Sequence, residues 1–361
     1  MIDPPRKEVE TSIRICAEAK ITPIMITGDN KTTALAIARD IGIATEAAQM
    51  MEGHELETVE EERLARIIDR IRVFARVSPE HKLKIVNALT RRGHIVAMTG
   101  DGVNDAPALK RAHIGVAMGI TGTDVAKEAA DMVLTDDNFA TIVHAVEEGR
   151  GIFENIRKFV RYMLTTNMAE LLTMFFALLL NMPLPLIPVQ ILWVNLVTDG
   201  LPALALGVEP TEGDLMKRPP RDSKAGILNA GMVFSMVAIA LYMAATTLIL
   251  FWWAWEKSGS IATARTVAFL ALTLLQMAHV LICRSDRRTI FELGLNTNPY
   301  LNGAILSSIF LQLLVIYLPA CQVIFKTKAL GIVELLVVFA ASFSLLFFIE
   351  LKKWFLSSFL E

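Results

Sequence analysis

The chain has 361 residues, of which 53% are hydrophobic and 20% are charged. These values exclude an intrinsically disordered chain, and they differ from an ordinary soluble domain, in which about 25% of residues are charged. The net charge of −2 gives no broad basic surface, so we expect no nucleic-acid partner. The cysteines at 16, 283 and 321 are too far apart in sequence to form a zinc motif or a disulfide framework.

Residues 1–157 carry most of the charge and alternate strand-like with helix-like segments. The pattern predicts strands over 22–29, 72–77, 94–102, 114–118 and 132–134, with helices over 31–41 and from Pro79 to Arg92. Such alternation predicts a parallel sheet with helices on both faces. Ligands of such sheets bind at the carboxyl ends of the strands, where Thr27-Gly28-Asp29 and the run that starts at Thr99 fall.

The most specific motif of this half is the run Thr-Gly-Asp-Gly-Val-Asn-Asp-Ala-Pro at 99–107. Its glycines permit a tight turn that exposes backbone N–H groups. Asp101 and Asp105 suit one hard cation such as Mg²⁺. Lys82 can balance phosphoryl charge, and Thr27 can donate to a phosphoryl oxygen. Together these residues indicate phosphoryl transfer, although a Thr-Gly-Asp run by itself is more often an ordinary turn.

Residues 158–355 are mostly apolar and contain stretches long enough to cross a membrane. A spanning helix needs about 20 apolar residues. The pattern predicts six spans, at roughly 153–180, 186–207, 228–253, 264–283, 300–324 and 331–351. A very hydrophobic soluble core cannot account for so many such stretches. We therefore expect an integral, multi-pass membrane protein that contacts the lipid bilayer.

Six spans place both chain ends on one side of the membrane, and the distribution of Lys and Arg indicates which side that is. The side away from the charged half carries Lys257, Arg265, Lys326 and Lys328. The side of the charged half carries Arg157, Lys158, Arg161, Lys217, Arg218, Arg221, Lys224, Arg284, Arg287, Arg288, Lys352 and Lys353. We therefore expect the soluble half to lie in the cytoplasm.

Glu170 and Asp199 lie inside predicted spans, where ionisable groups are costly and functional by default. Gly200 and Pro202 are expected to break the second span and free backbone carbonyls. Carboxylate, amide and hydroxyl oxygens are the ligands that Ca²⁺ prefers, so we predict a cation site here. The alternative is that these groups only join helices by hydrogen bonds. The residues that share a helix face with one of the carboxylates are Asn167, Asn195 and Thr198.

Three further polar residues of the apolar half require interpretation. Gln276 and His279 are three residues apart on one face of the fourth predicted span. Gln276 is a candidate ligand of the cation, whereas His279 is either part of that site or a helix-packing residue. Glu334 lies near the end of a span, and we expect a solvated or interfacial charge there.

The segments 27–29, 74–82 (Phe-Ala-Arg-Val-Ser-Pro-Glu-His-Lys) and 99–107 together resemble the phosphorylation domain of P-type ATPases, a haloacid-dehalogenase-like domain. Residues 188–203 closely resemble the sixth membrane helix of calcium pumps of the sarco/endoplasmic reticulum type and their bacterial relatives. Lys-Arg-Pro-Pro-Arg at 217–221 resembles the loop that follows. The resemblance implies a partial α/β, Rossmann-like phosphorylation domain over 1–152. It also implies an all-α bundle of six transmembrane helices over 153–361, equivalent to membrane helices five to ten.

The resemblance also implies roles for residues of the soluble half. Asp101 would hold Mg²⁺ at a phosphorylated aspartate, while Asn104 and Asp105 would organise that site. Lys82 would balance phosphate charge, and Arg76 would lie near bound ATP. The phosphate pocket would be lined by Thr27, Gly28 and Asp29, the last of which would also lie near ATP.

In the membrane half, the resemblance implies a site for transported Ca²⁺. The implied ligands are Asn167, Glu170, Asn195, Thr198, Asp199 and Gln276. The two-site calcium pumps that the chain resembles carry Glu where this chain has Gln276. A pump with a single calcium site, or a pump for manganese or another cation, is therefore the alternative.

The sequence departs from the family pattern in one large respect. It contains no Asp-Lys-Thr-Gly-Thr run, whose Asp is the family's nucleophile, and it has no nucleotide-binding domain, actuator domain or first four membrane helices. Asp-Pro-Pro-Arg, which the family places well after the nucleophile, stands at 3–6. We therefore expect a gene fragment, a frameshifted gene or a misplaced start, inactive as an isolated chain.

Three functions are consistent with these observations. The first is the C-terminal part of an ATP-driven cation pump, calcium above all, in the cell membrane of a bacterium. The second is a non-catalytic cation-binding half that pairs with a separately encoded N-terminal half. The third is a membrane-tethered phosphatase of the haloacid dehalogenase type, which would need the same aspartate.

Overall fold

A computed structural model describes residues 7–222, 225–286 and 288–358. The run at 3–6 and the basic residues Lys224 and Arg287 lie outside the described residues. The chain divides into two compact units. Unit 1 comprises Met1–Arg150 and Glu212–Ala225, and unit 2 comprises Gly151–Thr211 and Gly226–Glu361. The segment 212–225 thus groups with unit 1, whereas the sequence prediction of two consecutive domains placed it with the membrane helices.

Unit 1 is an α/β domain with parallel strands, as predicted from the alternation of strand-like and helix-like segments. Its described strands form two three-stranded sheets, with the orders β1-β3-β2 and β4-β5-β6. Every strand pair is parallel. The strands are β1 (Met25–Ile26), β2 (Met50–Glu52), β3 (Val73–Ala75), β4 (Ala97–Gly100), β5 (Ile114–Met118) and β6 (Met132–Leu134).

The helices of unit 1 begin where the sequence supplies a cap. The Asn30 side chain accepts the backbone N–H of Thr33, Pro79 stands in the first turn of its helix, and Thr123 caps another helix. The helices are α1 (Lys7–Glu18), α2 (Lys31–Asp40), α3 (Gly53–Thr58), α4 (Glu61–Ile67), α5 (Pro79–Arg91), α6 (Ala106–Arg111) and α7 (Asp124–Ala129).

Helix α5 supplies core residues to both sheets of unit 1. Ile85 packs in the cluster around Phe74 of β3, and the adjacent Val86 packs with Met98 of β4. All four side chains are buried. The helix that carries Lys82 in its first turn is therefore fixed against both sheets.

The described part of the chain has six helices that are long and apolar enough to cross a membrane, as the sequence predicts, and they lie mainly in unit 2. The first of them, α8, starts in unit 1. The six spans are α8 (Phe139–Leu179), the broken helix α9–α10 (Pro188–Trp193 and Gly200–Leu206), α11 (Ala230–Ser258), α12 (Ile261–Cys283), α14 (Pro299–Tyr317) and α16 (Ile332–Ser358).

Helix α12 is the centre of unit 2. In its most apolar stretch of 18 residues 94% is buried, against 44% or less in the corresponding stretch of each other span. It packs against α11, α14 and α16, and Phe269 and Leu272 belong to an apolar cluster shared with α8, α11, α14 and α16. Polar residues of α12 are therefore enclosed by protein.

Two spans are interrupted where the sequence contains prolines or a polar run. The predicted fifth span over 300–324 is wrong at its end, because α14 stops at Tyr317 and a separate helix, α15 (Pro319–Phe325), follows. Pro319 has no backbone N–H and cannot continue α14. In the second span, a π-helical turn over Val194–Thr198 separates α9 from α10. The predicted break therefore lies before Gly200. The remaining short helix of unit 2 is α13 (Ile290–Leu293).

Candidate functional site

In unit 1, an ion pair joins α5 to the loop after β4. Lys82 Nζ lies 2.5 Å from Asp105 Oδ1. Asp105 Oδ2 accepts the backbone N–H groups of Asp101 and Gly102, each at 3.2 Å. Asp105 is buried, so its charge is compensated within the protein. Asp105 therefore organises the loop, and its sharing or support of a cation with Asp101 stays a prediction.

Gly100 is needed for this arrangement. A Cβ atom added at Gly100 would lie 2.5 Å from the Cβ atom of Asp105, closer than real Cβ contacts. The absent side chain therefore lets Asp105 fold back under the turn and receive its two backbone N–H groups.

The Asp101 side chain is exposed beside this pair, and no described residue donates a hydrogen bond to its carboxylate. Its backbone carbonyl accepts the N–H of Thr123, which fixes the main chain while the side chain projects outwards. Among the described residues, no three His, Cys, Asp or Glu side chains converge on a metal-sized site. Mg²⁺ commonly uses one or two carboxylates and takes its other ligands from water and phosphate. The Asp101 carboxylate fits that role, and Asn104 is exposed next to it.

A second group of predicted residues lies where β1 and β3 end. The Thr27 hydroxyl donates to Asp29 Oδ2 at 2.9 Å, and Asp29 O accepts the backbone N–H of Arg76 at 3.0 Å. Gly28 is exposed, with open space where a Cβ atom would lie. The structure thus brings Thr27, Asp29 and Arg76 together, and their roles at a phosphate and nucleotide pocket stay predictions.

Arg76 has a left-handed backbone conformation, with φ of 52°. This conformation is uncommon for residues other than glycine, and such strain persists where the surroundings enforce it. The Arg76 carbonyl is covered by Gly53, at which an added Cβ atom would lie only 2.1 Å from that oxygen. The exposed Arg76 side chain is therefore presented by a tightly constrained backbone.

In unit 2, the Glu170 carboxylate of α8 is clamped by two side-chain amides. Gln276 Nε2 of α12 donates to Glu170 Oε1 at 3.0 Å, and Asn195 Nδ2 of the π-turn donates to Oε2 at 3.2 Å. Glu170 and Gln276 are buried. Three spans therefore meet at one carboxylate.

Asp199 lies at the end of the π-turn and is fully buried. Its backbone N–H donates to Val194 O at 2.8 Å, and Tyr162 OH donates to Asp199 Oδ1 at 3.1 Å. The wide turn holds Thr198, whose hydroxyl donates to Val194 O at 3.0 Å. The π-turn thus aims Asp199 back towards α8, and local π-helical turns are frequent at functional sites.

Two buried oxygens of this region have no hydrogen-bond donor among the described residues. They are Asp199 Oδ2 and Gln276 Oε1. A buried oxygen without a partner is costly, and both atoms are of the hard type that binds Ca²⁺. The pair of unpartnered oxygens beside a buried carboxylate is the strongest indication of a cation site in unit 2.

Asn167 does not contact this group among the described residues, so its part in the cation site stays a prediction. Its side chain is exposed, and Nδ2 donates to Met163 O of its own helix at 2.7 Å. Residues three apart on a helix differ by about 60° around the axis. That offset leaves Glu170 on the buried face of α8 and Asn167 on the exposed face.

His279 and Glu334 each contact another side chain of unit 2. His279 is fully buried, its ring stacks on Tyr162 with 5.9 Å between centroids, and Cys283 Sγ lies 3.4 Å from its Nε2 atom. Of the two readings of His279, this contact favours helix packing. Glu334, near the start of α16, forms an ion pair with Lys257 at 2.8 Å.

Tyr162 is the residue that sequence reasoning missed. It follows Arg161 near the end of the charged segment, and nothing in local spacing connects it with Asp199, 37 residues further along the chain. The one available signal was a tyrosine in an apolar span, since a buried Tyr hydroxyl needs a hydrogen-bond partner.

Comparison with known proteins agrees with both units. The model of the cation transporting ATPase C-terminus matches residues 183–355, and models of haloacid dehalogenase-like hydrolases match residues 1–113 and 81–146. A calcium-transporting ATPase of Bacillus subtilis (strain 168) is 53% identical over 331 residues, which are 91% of this chain and 37% of that protein. Calcium-transporting ATPase type 2C member 1 of Mus musculus is 43% identical over 355 residues, 98% of this chain and 38% of that protein.

The chain therefore spans less than two fifths of the length of these relatives. The matches cover its haloacid-dehalogenase-like unit and its membrane helices alike. Together they place the chain among the P-type cation-transporting ATPases, where it corresponds to the C-terminal portion of the calcium-pump type.

Proposed function

We propose that this chain forms the C-terminal part of an ATP-driven pump that moves Ca²⁺ across a membrane through an aspartyl-phosphate cycle. The observation that carries the proposal is the Glu170 site, a buried carboxylate held by two amides beside the unpartnered Asp199 Oδ2 atom. Intramembrane carboxylates of this kind mark ion pathways. The relatives are named calcium-transporting ATPases, which supports Ca²⁺ over Mn²⁺ or another cation.

The amides explain how the site could release and take up a cation. Gln276 and Asn195 now present N–H groups to Glu170. Each amide carries an oxygen as well, so rotation about its last side-chain bond would present a ligand in place of a donor. A cation would then replace the two N–H groups as the partner of Glu170, with Asp199, Thr198 and Gln276 supplying further oxygens.

Unit 1 would serve phosphoryl transfer from ATP. Mg²⁺ held by Asp101 would neutralise charge on the transferred phosphoryl group. Lys82 fixes Asp105 and thereby the turn that carries Asp101, and Arg76 would face the nucleotide. The phosphorylated aspartate would come from residues other than those of the printed sequence, which has no Asp-Lys-Thr-Gly-Thr run.

The proposal is tested with the full-length protein in membrane vesicles. Wild type should form an acid-stable phosphoenzyme from ATP only when Ca²⁺ is present, and Asp199→Asn should remove that dependence on Ca²⁺. Glu334→Gln is the matched control, because Glu334 is an acid of unit 2 that pairs with Lys257. A Ca²⁺-dependent phosphoenzyme in Asp199→Asn would contradict the assignment of the site.

A second candidate is a cation-binding half that pairs with a separately encoded N-terminal half. It is compatible with the edge strands β1, β2, β4 and β6, each of which pairs on one side only among the described strands. In addition, Ile114 and Val133 are 44% and 42% exposed, although parallel sheets are normally covered on both faces. Another segment, in the same chain or a different one, would complete this domain.

The size of the native protein separates the two candidates. An antibody against residues 210–224 should detect a band well above 39.9 kDa in host membranes if the pump is one chain. A band at 39.9 kDa that co-purifies with a second chain would support the paired halves instead.

We also propose that the protein lies in the cell membrane of a bacterium with unit 1 in the cytoplasm. The excess of Lys and Arg next to the charged half and the Bacillus relatives support this orientation. Trypsin should digest unit 1 in inverted vesicles and spare it in intact spheroplasts. The opposite pattern would reverse the topology.

A further inference from the structure

A second buried polar cluster in unit 2 surrounds Glu209, three residues after the end of α10. Arg284 Nε donates to Glu209 Oε1 at 2.8 Å, and Asn298 Nδ2 donates to Oε2 at 2.6 Å. Arg284 also donates to Gly294 O and to Thr297 Oγ1. Glu209, Arg284 and Asn298 are 5%, 1% and 1% exposed. We call these three residues the Glu209 cluster.

The Glu209 cluster holds the end of α10 at several points. Asn298 donates to Ala205 O within α10 at 3.0 Å. Asn155 of α8 donates to Glu209 O at 2.8 Å and to Gly207 O at 3.3 Å. Side chains from α8, from the end of α12 and from the start of α14 therefore converge on five residues of the chain that follows Leu204.

The other half of the broken helix is also held. Gln190 of α9 is fully buried and donates to Phe325 O at 3.0 Å, and Trp193 Nε1 donates to Gln312 Oε1 at 3.0 Å. The π-turn with Asn195, Thr198 and Asp199 thus lies between two anchored half-helices.

A buried ion pair contributes little net stability compared with apolar residues of the same volume, because both charges lose their hydration. A fully hydrogen-bonded buried network does fix geometry. Both carboxylate oxygens of Glu209 are paired, and the guanidinium donates to three different groups. Such a cluster is suited to holding α10 at one position.

We propose that Glu209, Arg284 and Asn298 are positioning residues that fix α10, and through it Asp199, so that cation affinity depends on this cluster. The proposal rests on the proposed function only for the identity of the cation. Movements of the site are then confined to the π-turn and its side chains, and α10 itself stays in place.

The test uses the full-length protein in lipid nanodiscs, with Ca²⁺ alone as the probe. In the double variant Glu209→Gln/Arg284→Met, no buried charge is left unpaired. We expect hydrogen exchange of the amides at 200–208 to accelerate and the Ca²⁺ dissociation constant to rise about tenfold, as for other residues that orient ligands. The matched control is Lys257→Met/Glu334→Gln, which removes an ion pair of unit 2 without contact to α10 and should change neither quantity.

A cluster that only stabilises the fold would lower the melting temperature and leave both quantities within about twofold of wild type in the folded protein; that result would overturn the proposal. If the double variant does not fold, Asn298→Ser replaces it. Serine can still cap α14, as Asn298 does for Leu301, but it lacks the amide donor to Ala205 and Glu209. If wild type binds no Ca²⁺, the proposed function is wrong. In that case hydrogen exchange of the amides at 200–208, compared between the variant and wild type, alone decides the positioning role.

Discussion

Lys82 and Asp105 form a 2.5 Å ion pair although they follow strands of different sheets. Lys82 lies in the first turn of α5, after β3, and Asp105 lies in the loop after β4. The Asp105 side chain is 4% exposed and that of Lys82 is 26% exposed. The pair therefore ties the two sheets together at the edge where the candidate phosphate site lies.

This relationship predicts that the two carboxylates of the loop contribute unequally to the stability of unit 1. Asp105→Asn should destabilise unit 1 by about 1–3 kcal/mol, because it breaks a buried charged hydrogen bond and leaves Lys82 without its partner. Asp101→Asn should change stability by less than about 0.5 kcal/mol, since this side chain is exposed. Proteolysis of unit 1 in increasing urea measures both. Equal losses of stability for the two variants would contradict a structural role that Asp105 has and Asp101 lacks.

The same two variants separate stability from chemistry. In the full-length protein, Asp101→Asn should abolish Mg²⁺-dependent phosphorylation while the protein remains as resistant to protease as wild type. Phosphorylation at the wild-type level in Asp101→Asn would remove Asp101 from the magnesium site.

Substitution by alanine at two glycines should have very different effects on the stability of unit 1. At Gly53 a Cβ atom would lie 2.1 Å from Arg76 O, so Gly53→Ala must shift the backbone of Arg76. Overpacking of this kind costs about 1–3 kcal/mol. Gly28→Ala meets open space and serves as the control. Urea unfolding of unit 1 should therefore show a lower free energy of unfolding for Gly53→Ala only. A decrease of similar size for Gly28→Ala would contradict this packing.

Asp137 should make the stability of unit 1 depend on acid pH. Desolvation by itself would raise the pKa of Asp137, but backbone N–H groups of Ile120, Thr121 and Gly119 and the Thr121 hydroxyl lower it from 3.8 to about 2. A lowered pKa means that the folded state favours the carboxylate. The stabilisation is therefore complete above the unfolded pKa near 4, and it is lost as the pH falls towards 2.

The control for this pH dependence is Asp137→Asn, which keeps the shape of the side chain. Asparagine also tolerates the positive φ of 48° at this position. Wild type should have the higher urea midpoint at pH 5, and the difference between the two proteins should vanish towards pH 2. A constant difference over that range would show that the Asp137 charge is not what stabilises the loop.

The sequence predicted those parts of the fold that are encoded locally. The strands over 114–118 and 132–134 have their predicted ends, because each is a short apolar run between polar turns. The strand predicted over 22–29 is only Met25–Ile26, although the Thr27 N–H still donates to Phe74 O at 2.9 Å. β2 was not predicted, because its sequence Met-Met-Glu ends in a charged residue and does not form an apolar run.

The candidate site was predictable only within single helices. Spacing along one span grouped Asn195 with Asp199, but it could not show that Asn195 donates to Glu170 on another span or that Tyr162 donates to Asp199. Contacts between helices depend on how each helix is rotated about its axis. By the same limit, the three-residue spacing from Glu170 could not show that the Asn167 side chain is exposed and donates to its own helix.

The two asparagines provide the most direct test of the site in unit 2. Asn195 donates to Glu170 and lies in the π-turn, whereas Asn167 donates to its own helix and is exposed. We expect Asn195→Ala to raise the Ca²⁺ dissociation constant about tenfold or more, because it removes a partner of Glu170 and an oxygen ligand. Asn167→Ala should leave that constant within about twofold of wild type, as for a surface substitution. Equilibrium binding of radioactive Ca²⁺ to the full-length protein measures both. A larger loss of Ca²⁺ affinity for Asn167→Ala than for Asn195→Ala would mean that the cation is held on the exposed face of α8 and not at the Glu170 carboxylate.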